Sequence, residues 1–208
     1  MDIILIETGE LTFREVSGFL GCVTRARRES IDRKKNETDK LNALLGELLL
    51  ISEIEARTGI PRRKIAFEKG RFGKPYLKGE ELWFSLSHTK GAVCAAFSRE
   101  GETGVDIERR DRRFNEILYK RTLCAEEQAL VCGGEDFLRM WVKKEAFLKR
   151  LGVGITRDLR GVNTLTLPDT EAMEAGEYLL GASGEGAASA KLIRLTAEEL
   201  LGRFVRKN

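Results

Sequence analysis

The sequence predicts an α+β fold made of two similar halves. A helix followed by strands is predicted early in the chain and again late, and a turn-like segment at 99–104 separates the two series. With 208 residues, the chain is long enough to bury a sizeable core in one domain or in two small ones. We therefore predict an N-terminal half at residues 1–103 and a C-terminal half at residues 104–208.

The N-terminal half begins with a predicted strand and a long helix. Residues 1–13 carry an acid at Asp2 and lack a basic start and a cleavage site, which favours a first strand over a signal peptide. The leucines of residues 38–57 recur at helical spacing, and Gly59 marks the end of this helix. Three strand patterns follow, at 65–67, 82–86 and 92–97.

The C-terminal half is predicted to mix strands and helices in the same way. In chain order, the predicted strands lie at 104–108, 162–167 and 190–195, and the predicted helices at 125–131, 135–150 and from 196 onward. Thr196 and Glu199 have the spacing of a capping box, which marks the start of the last helix.

Composition argues against several classes of protein. Hydrophobic residues make up 42% of the chain and charged residues 33%, as in a soluble globular protein. No run approaches the roughly 20 apolar residues of a membrane span, and a net charge of +3 is too small to favour nucleic acid. The four cysteines have neither C-x-x-C nor zinc-ligand spacing. We expect a cytoplasmic protein with no membrane and no nucleic-acid partner.

Basic residues concentrate in two early stretches. They are Arg25, Arg27, Arg28, Arg33, Lys34, Lys35 and Lys40 in the first stretch, and Arg62, Arg63, Lys64, Lys69, Arg71 and Lys74 in the second. Clusters of this kind are typical of a solvated face, and they also suit a local phosphate site. Both interpretations stay open at this point.

The segment G-V-D-I-E at 104–108 places two carboxylates on one face of a predicted strand. Asp106 and Glu108 project to the same side, whereas Val105 and Ile107 face the other. Two like charges this close repel each other, which favours a bound cation, and their hard oxygen atoms suit Mg²⁺. Two solvated acids on an exposed strand are the alternative interpretation.

A predicted helix presents an acid and two lysines beside an apolar stripe. Lys144 falls within the stripe that includes Trp141 and Leu148, and Glu145 and Lys149 lie along one edge of it. Glu145 and Lys149 have the i,i+4 spacing of an ordinary helix ion pair. The same side chains also suit the joint binding of a metal ion and a pyrophosphate.

Ser87 and His88 follow a predicted strand, and His88 is the only histidine of the chain. A single histidine does not favour a zinc site. A serine–histidine hydrolase is also disfavoured, because strand neighbours point to opposite faces and no G-x-S-x-G elbow occurs. A contact with phosphate and a structural or exposed histidine are the remaining interpretations.

The order and spacing of these motifs resemble those of one family. G-K-P-Y, F-S-L-S-H-T, G-V-D-I-E and W-V-K-K-E-A-F-L-K follow one another within residues 25–151. The chain resembles the 4′-phosphopantetheinyl transferase superfamily, and in particular its larger, monomeric, surfactin-synthetase-activating type. This resemblance implies two α+β halves related by a pseudo-two-fold axis, with the active site in the cleft between them.

The resemblance also implies the reaction and its partners. The enzyme would move the 4′-phosphopantetheine group of coenzyme A to a serine of an acyl or peptidyl carrier protein, with Mg²⁺ as cofactor and 3′,5′-ADP as product. Residues 110–135 would then meet the carrier protein. Three alternatives remain: a non-catalytic coenzyme A-binding relative, an Mg²⁺-dependent phosphohydrolase, and a nucleic-acid surface.

The metal and catalytic residues are implied by position in the shared motifs. Asp106, Glu108 and Glu145 match Mg²⁺ ligands, and Glu127 falls where the family has a further acid near the metal. The implied catalytic residues are Asp106, Glu145 as general base, and Lys149, which would stabilise the leaving oxygen.

The coenzyme A contacts are implied in the same way. Lys144 and Lys149 match lysines that contact the phosphates, Ser87 and His88 match a pair that contacts the 3′-phosphate, and Lys74 and Pro75 match a turn that lines the nucleotide pocket.

One position departs from the family pattern. Asn42 stands where the family often has an arginine that binds the 3′-phosphate. Arg28, Lys40 or another early base is expected to take its place.

Overall fold

The computed structural model describes residues 1–154 and 158–205 and confirms the α+β class. Its strands are β1 (Asp2–Glu7), β2 (Phe67–Lys69), β3 (Pro75–Leu77), β4 (Trp83–Thr89), β5 (Ala92–Ser98), β6 (Gly104–Arg109), β7 (Thr170–Ala175), β8 (Tyr178–Ser183) and β9 (Lys191–Arg194). Its α-helices are α1 (Phe13–Val16), α2 (Arg25–Asp32), α3 (Glu37–Thr58), α4 (Glu116–Thr122), α5 (Ala125–Leu130), α6 (Gly134–Leu151) and α7 (Ala197–Gly202).

Two sheets repeat one topology. The strand order of the first sheet is β4-β5-β1-β9, and β5 pairs antiparallel with both β1 and β4. The order of the second sheet is β6-β8-β7, and β8 pairs antiparallel with both β6 and β7. Each half thus runs from a first strand through helices to a hairpin whose second strand lies beside the first. The two similar halves are therefore confirmed.

The last strand and helix return to the first sheet. β9 pairs parallel with β1, and Leu200 of α7 is fully buried in the core around α3. Ile193 packs into that core from one face of β9, and Leu192 packs towards the second sheet from the other. Because β9 carries apolar side chains on both faces, both faces must be covered. At the edge of the first sheet, one face of β9 packs into the core around α3 and the other packs towards the second sheet. The division into halves between residues 103 and 104 stays a prediction. Residues 191–202 do not follow it, because they pack with the first half.

The first sheet is buried on both faces. Ile4 and Ile6 of β1 pack on α3, whereas Ile3 and Leu5 pack towards β6 and β8. Helix α3 is accordingly apolar around most of its surface, and the first sheet lies between α3 and the second sheet. In this arrangement, β4 of the first half lies beside β6 of the second half.

Helix α6 packs directly on the second sheet. A Cβ atom added to Gly104 of β6 would lie 1.9 Å from the carbonyl oxygen of Ala146, and one added to Gly181 of β8 would lie 2.0 Å from that of Val142. Atoms do not approach this closely, so only glycine allows the helix backbone to reach the strands. This contact holds the middle of α6 against β6.

The predicted strand at 162–167 is wrong. Leu159–Gly161 forms a short 3-10 helix, and turns follow it. The carbonyl of Val162 and the amide of Thr164 bind buried side chains instead of a neighbouring strand. The second-half hairpin is formed by β7 and β8, whose alanine- and glutamate-containing sequence lacks a strand pattern. Within the part of the chain that is described, no helix is long and apolar enough to cross a membrane.

Replacement of Gly104 by alanine is expected to lower the free energy of unfolding by about 3 kcal/mol, the upper range for overpacking in a core. The added methyl group would clash with the backbone of α6. Chemical denaturation measures the change. Gly101→Ala is the control, because no described atom lies within 4 Å of a Cβ there. Equal stability of the two variants would contradict the packing described above.

Candidate active site

The candidate site forms where β4 runs beside β6. Ser87 Oγ donates a hydrogen bond to Asp106 Oδ1 at 2.9 Å, and Thr89 Oγ1 donates to Glu108 Oε2 at 3.3 Å. Alternate residues of β4 face β6 because a strand has a period of two. The backbones of β4 and β6 do not pair as strands of one sheet. The hydroxyl side chains at these positions link the two halves instead.

Lys149 of α6 joins this junction. Its Nζ lies 2.8 Å from Asp106 Oδ1 and 2.6 Å from Ser87 Oγ. Asp106 is 5% exposed, so the charge of Lys149 acts on it with little screening by water. Ser87 therefore contacts a predicted metal ligand and a predicted catalytic lysine.

Two carboxylates remain incompletely satisfied beside Lys149. Among the described residues, Asp106 Oδ2 and Glu145 Oε1 are buried and have no hydrogen-bond partner. Burial, and then the charge of Asp106, raises the pKa of Glu145 to about 7, although Lys149 and Arg112 act in the opposite direction. Unpartnered buried carboxylate oxygens are costly. They fit a divalent cation, which would satisfy both oxygens at once.

Glu108 is engaged by another cation. Arg112 forms an ion pair with it, and the Arg112 guanidinium lies 4.8 Å from the ring centroid of Phe114 and 5.5 Å from that of Trp141. Within residues 1–154 and 158–205, no three acid, histidine or cysteine side chains converge as a ready metal site. The structure thus brings Asp106 and Glu145 together and leaves Glu108 as a third ligand only by prediction.

Glu127 and Lys144 form a buried ion pair. Lys144 Nζ lies 2.6 Å from Glu127 Oε2 and also donates to the carbonyls of Leu159, at 2.9 Å, and of Val162. Thr164 donates to Glu127 Oε1 from both its amide and its hydroxyl. Both charged side chains are fully buried.

This pair bears on two expectations. Each of the three ammonium hydrogens of Lys144 has an acceptor within the protein, so the expected contact with coenzyme A phosphates would require one of these bonds to break. Burial would raise the pKa of Glu127, but hydrogen bonds from Lys144, Thr164 and the Cys124 amide outweigh it and lower the pKa. Glu127 is thus satisfied by protein groups in this structure, and its place near the metal stays a prediction.

A cavity of about 950 Å³ opens beside the acid pair. Its walls come from α2, α3, the β2–β3 hairpin, β4 and α6, so both halves contribute. Glu145 and Lys149 line it, together with Lys74 and Pro75 of the hairpin. The volume is in the range of cofactor and small-ligand sites. Predicted catalytic residues and predicted nucleotide-binding residues therefore share one cavity.

Arg27 is the early arginine that faces this cavity. Its Nε lies 3.2 Å from Glu47 Oε2, and its Nη2 donates to the carbonyl of Ala43 at 3.1 Å. Arg27 and Glu47 both line the cavity. Burial raises the pKa of Glu47, and the charge of Arg27 opposes that shift. An acid on α3 thus orients a base on α2 towards the ligand space.

Of the early bases expected to replace the family arginine, Arg28 and Lys40 do not line this cavity, whereas another early base, Arg27, does. Arg28 is exposed, and its Nε donates to the carbonyl of Leu20 at 3.2 Å. Lys40 Nζ pairs with Glu37 at 2.8 Å and lies 5.5 Å from the ring centroid of Phe13.

Asn42 has a structural contact in the place of the family arginine. It is buried, and its Nδ2 donates to the carbonyl of Thr89 at 3.1 Å.

His88 and Ser87 point in different directions, and their joint contact with one phosphate stays a prediction. Ser87 faces Asp106, whereas His88 is exposed on the opposite face of β4. The pKa of His88 is lowered, first by desolvation of the ring and then by the nearby charges of Lys149 and Lys34.

Sequence reasoning did not single out Glu47, and it did not pair Arg112 with Glu108. Glu47 has a detectable signal, since it is a lone acid within the leucine-rich run of residues 41–50. Such an acid in a buried helix needs a partner, here Arg27. Arg112 has no comparable signal, because it is one of four arginines in residues 109–113.

Two family models match the chain. Residues 102–193 match the model described as 4′-phosphopantetheinyl transferase superfamily. Residues 11–100 match the model described as 4′-phosphopantetheinyl transferase, N-terminal. Together the matches span most of the chain, and they meet near the predicted boundary between the halves.

Curated relatives share between a quarter and a third of aligned residues with the chain. It is 29% identical over 151 residues to the 4′-phosphopantetheinyl transferase gsp of Aneurinibacillus migulanus, an alignment that covers 68% of the chain and 62% of that relative. It is 29% identical over 210 residues to psf-1 of Bacillus pumilus, covering 88% of each. For Sfp of Bacillus subtilis, identity is 27% over 155 residues, covering 72% of the chain and 69% of the relative.

Lys144→Met is expected to lower the free energy of unfolding by about 3–5 kcal/mol, because it leaves the buried charge of Glu127 without its partner. Chemical denaturation measures this cost. The double variant Glu127→Leu/Lys144→Met removes both charges and should be less destabilised than the two single variants added together. A stable Lys144→Met protein with weakened coenzyme A binding would restore the ligand-contact interpretation.

Proposed function

Because the chain belongs to the 4′-phosphopantetheinyl transferase superfamily, we propose that it transfers the 4′-phosphopantetheine group of coenzyme A to a serine of an apo carrier protein. The observation that carries this proposal is the buried acid pair Asp106 and Glu145 with Lys149 beside it, of which Glu145 and Lys149 line a cavity of nucleotide size. The reaction forms a bond between the serine oxygen and the β-phosphorus of coenzyme A. It breaks the bond from that phosphorus to 3′,5′-ADP.

Asp106 and Glu145 are the proposed holders of a divalent cation, since each leaves a buried carboxylate oxygen unpartnered. Mg²⁺ bound there would supply neutralisation of the charge that builds on the pyrophosphate oxygens. Two carboxylates and substrate phosphate are a common ligand set for this ion. Glu108 remains a proposed third ligand. To bind the cation, it must first break its ion pair with Arg112.

Lys149 and Glu145 are the proposed catalytic side chains. Lys149 carries its charge at the junction and lines the cavity, so it can stabilise the leaving phosphate oxygen. Glu145 is buried at the junction and lines the cavity, within reach of a bound substrate. We assign to it the proton of the attacking serine hydroxyl.

The remainder of the cavity is the proposed site for the nucleotide end of coenzyme A. Arg27 supplies a positive charge to this wall, and Phe72, Lys74 and Pro75 supply hairpin surface. Phe72 is 51% exposed, which leaves its ring available for a flat ligand.

The proposed carrier surface lies on α4 and α5. Ile117 is 62% exposed and Leu130 is 54% exposed, and a cavity of about 360 Å³ lies between these helices and the start of α6. Lys120 is exposed and lines this cavity, and Arg113 is exposed shortly before α4, so this region suits an acidic acyl or peptidyl carrier. Because one chain supplies both walls of the main cavity, we propose that it acts as a cytoplasmic monomer.

The alternatives receive less support. A non-catalytic coenzyme A-binding relative would lack a metal carboxylate, whereas Asp106 and Glu145 are both present and unpartnered. A phosphohydrolase needs an activated water and no carrier. The relatives named above are transferases.

The direct test incubates the protein with coenzyme A, Mg²⁺ and an apo carrier protein. The carrier is then weighed by intact-mass spectrometry. We expect a gain of one phosphopantetheine per carrier, and we expect that gain to disappear with Asp106→Ala and with a chelator. Asp158→Ala is the matched control, because this acid is exposed and pairs with Arg160 on the surface. No gain with any acyl or peptidyl carrier would contradict the proposed function.

A further inference from the structure

The ammonium group of Lys74 donates all of its hydrogen bonds to acceptors within the protein. The Lys74 side chain is only 9% exposed, and its Nζ donates to the carboxylate of Glu102, to the carbonyl of Thr103 at 3.2 Å and to the carbonyl of Arg150 at 2.8 Å. A lysine has three N–H donors, and each one has an acceptor here. A direct bond from this ammonium to a ligand would require one of these to break.

The three acceptors connect separate parts of the molecule. Lys74 lies in the turn of the β2–β3 hairpin, Glu102 and Thr103 lie between β5 and β6, and Arg150 lies in the last turn of α6. The carbonyls at a helix C-terminus carry partial negative charge, which favours a cation there. Lys74 therefore joins one wall of the cavity to the helix that carries Glu145 and Lys149.

Close packing around Gly152 accompanies this link. Gly152 ends α6 in the left-handed conformation, with φ of 64°. A Cβ at this position would lie 3.2 Å from the Tyr76 hydroxyl and 3.2 Å from Lys74 Cδ. Burial, and then the charge of Glu102, raises the pKa of Tyr76. The hairpin thus contacts the end of α6 through side chains as well as through the ammonium.

We propose that Lys74 is a positioning residue that ties the β2–β3 hairpin to the C-terminal end of α6. It holds the hairpin, which forms one wall of the cavity, against the end of α6, and it keeps α6 in place over β6. This differs from the expectation that Lys74 itself contacts the nucleotide: its stem and Pro75 line the cavity, while the ammonium bonds to the protein. The inference rests on the proposed function for the identity of the ligand.

A double-mutant cycle between Lys74 and Glu102 tests the link. Lys74→Met keeps the length of the stem, and Glu102→Gln keeps the size of the acceptor. Each change should raise the KM for coenzyme A by about tenfold, the effect of losing one charge-assisted hydrogen bond. We expect kcat to change less, and the double variant to be no worse than either single variant. Amide hydrogen exchange of residues 67–77 should become faster in all three.

Lys69→Met is the matched control for charge. Lys69 is an exposed residue of the same hairpin that also lines the cavity. Its effect on the KM for coenzyme A should add to that of Glu102→Gln, because it is not joined to that acid. Should Lys74→Met fail to fold, Glu102→Gln and its hydrogen exchange carry the test, since the Glu102 side chain is 42% exposed.

Two results would overturn the inference. A weaker coenzyme A affinity in Lys74→Met but not in Glu102→Gln would mean that the ammonium binds the nucleotide directly. Unchanged hydrogen exchange of residues 67–77 in both variants would mean that the link does not hold the hairpin. A wild-type protein that fails to bind coenzyme A would instead contradict the proposed function. The exchange measurement would still show whether Lys74 holds the hairpin to α6.

Discussion

The candidate site depends on the direct contact of α6 with the second sheet. Gly104 and Gly181 leave no side chain between the helix backbone and the strands, so residues 142–150 lie against β6. Glu145 and Lys149 are thereby placed next to Asp106, at the same edge where β4 of the first half meets β6. The helix brings Lys149, which partly neutralises Asp106, together with Glu145, which repels it, and the remaining negative charge would favour a bound cation.

Much of the fold was predictable because its pattern is local. The long helix at 37–58 and the strands at 83–89, 92–98 and 104–109 follow from hydrophobic periodicity, and they were predicted within about two residues, the usual uncertainty at element ends. The hairpin of β7 and β8 was missed, since its sequence is rich in alanine and glutamate and its strand state comes from pairing with β6. The return of β9 to β1 joins residues almost 190 positions apart and has no local signal.

The candidate site was predicted in part. Two-residue spacing on a strand placed Asp106 on the correct face, and helical spacing kept Glu145 and Lys149 together, so these three residues meet as expected. Periodicity does not tell which charged neighbour is buried in an ion pair. For that reason the sequence did not reveal that Lys144, one residue from Glu145, is paired with Glu127, and Arg27 was not preferred over the adjacent Arg28. Such choices depend on partners that are distant in sequence.

The pH dependence of stability without metal tests the unpartnered acid pair most directly. The pKa of Glu145 is about 7 in the folded protein and near 4.5 when unfolded, so the folded state holds its proton longer. The free energy of unfolding of the wild type should therefore fall relative to Glu145→Gln as pH rises through 4.5 to 7, by up to about 3 kcal/mol. Mg²⁺ should restore most of this difference at pH 8 and leave Glu145→Gln almost unchanged. Parallel pH curves with no response to Mg²⁺ would contradict a cation site at Asp106 and Glu145.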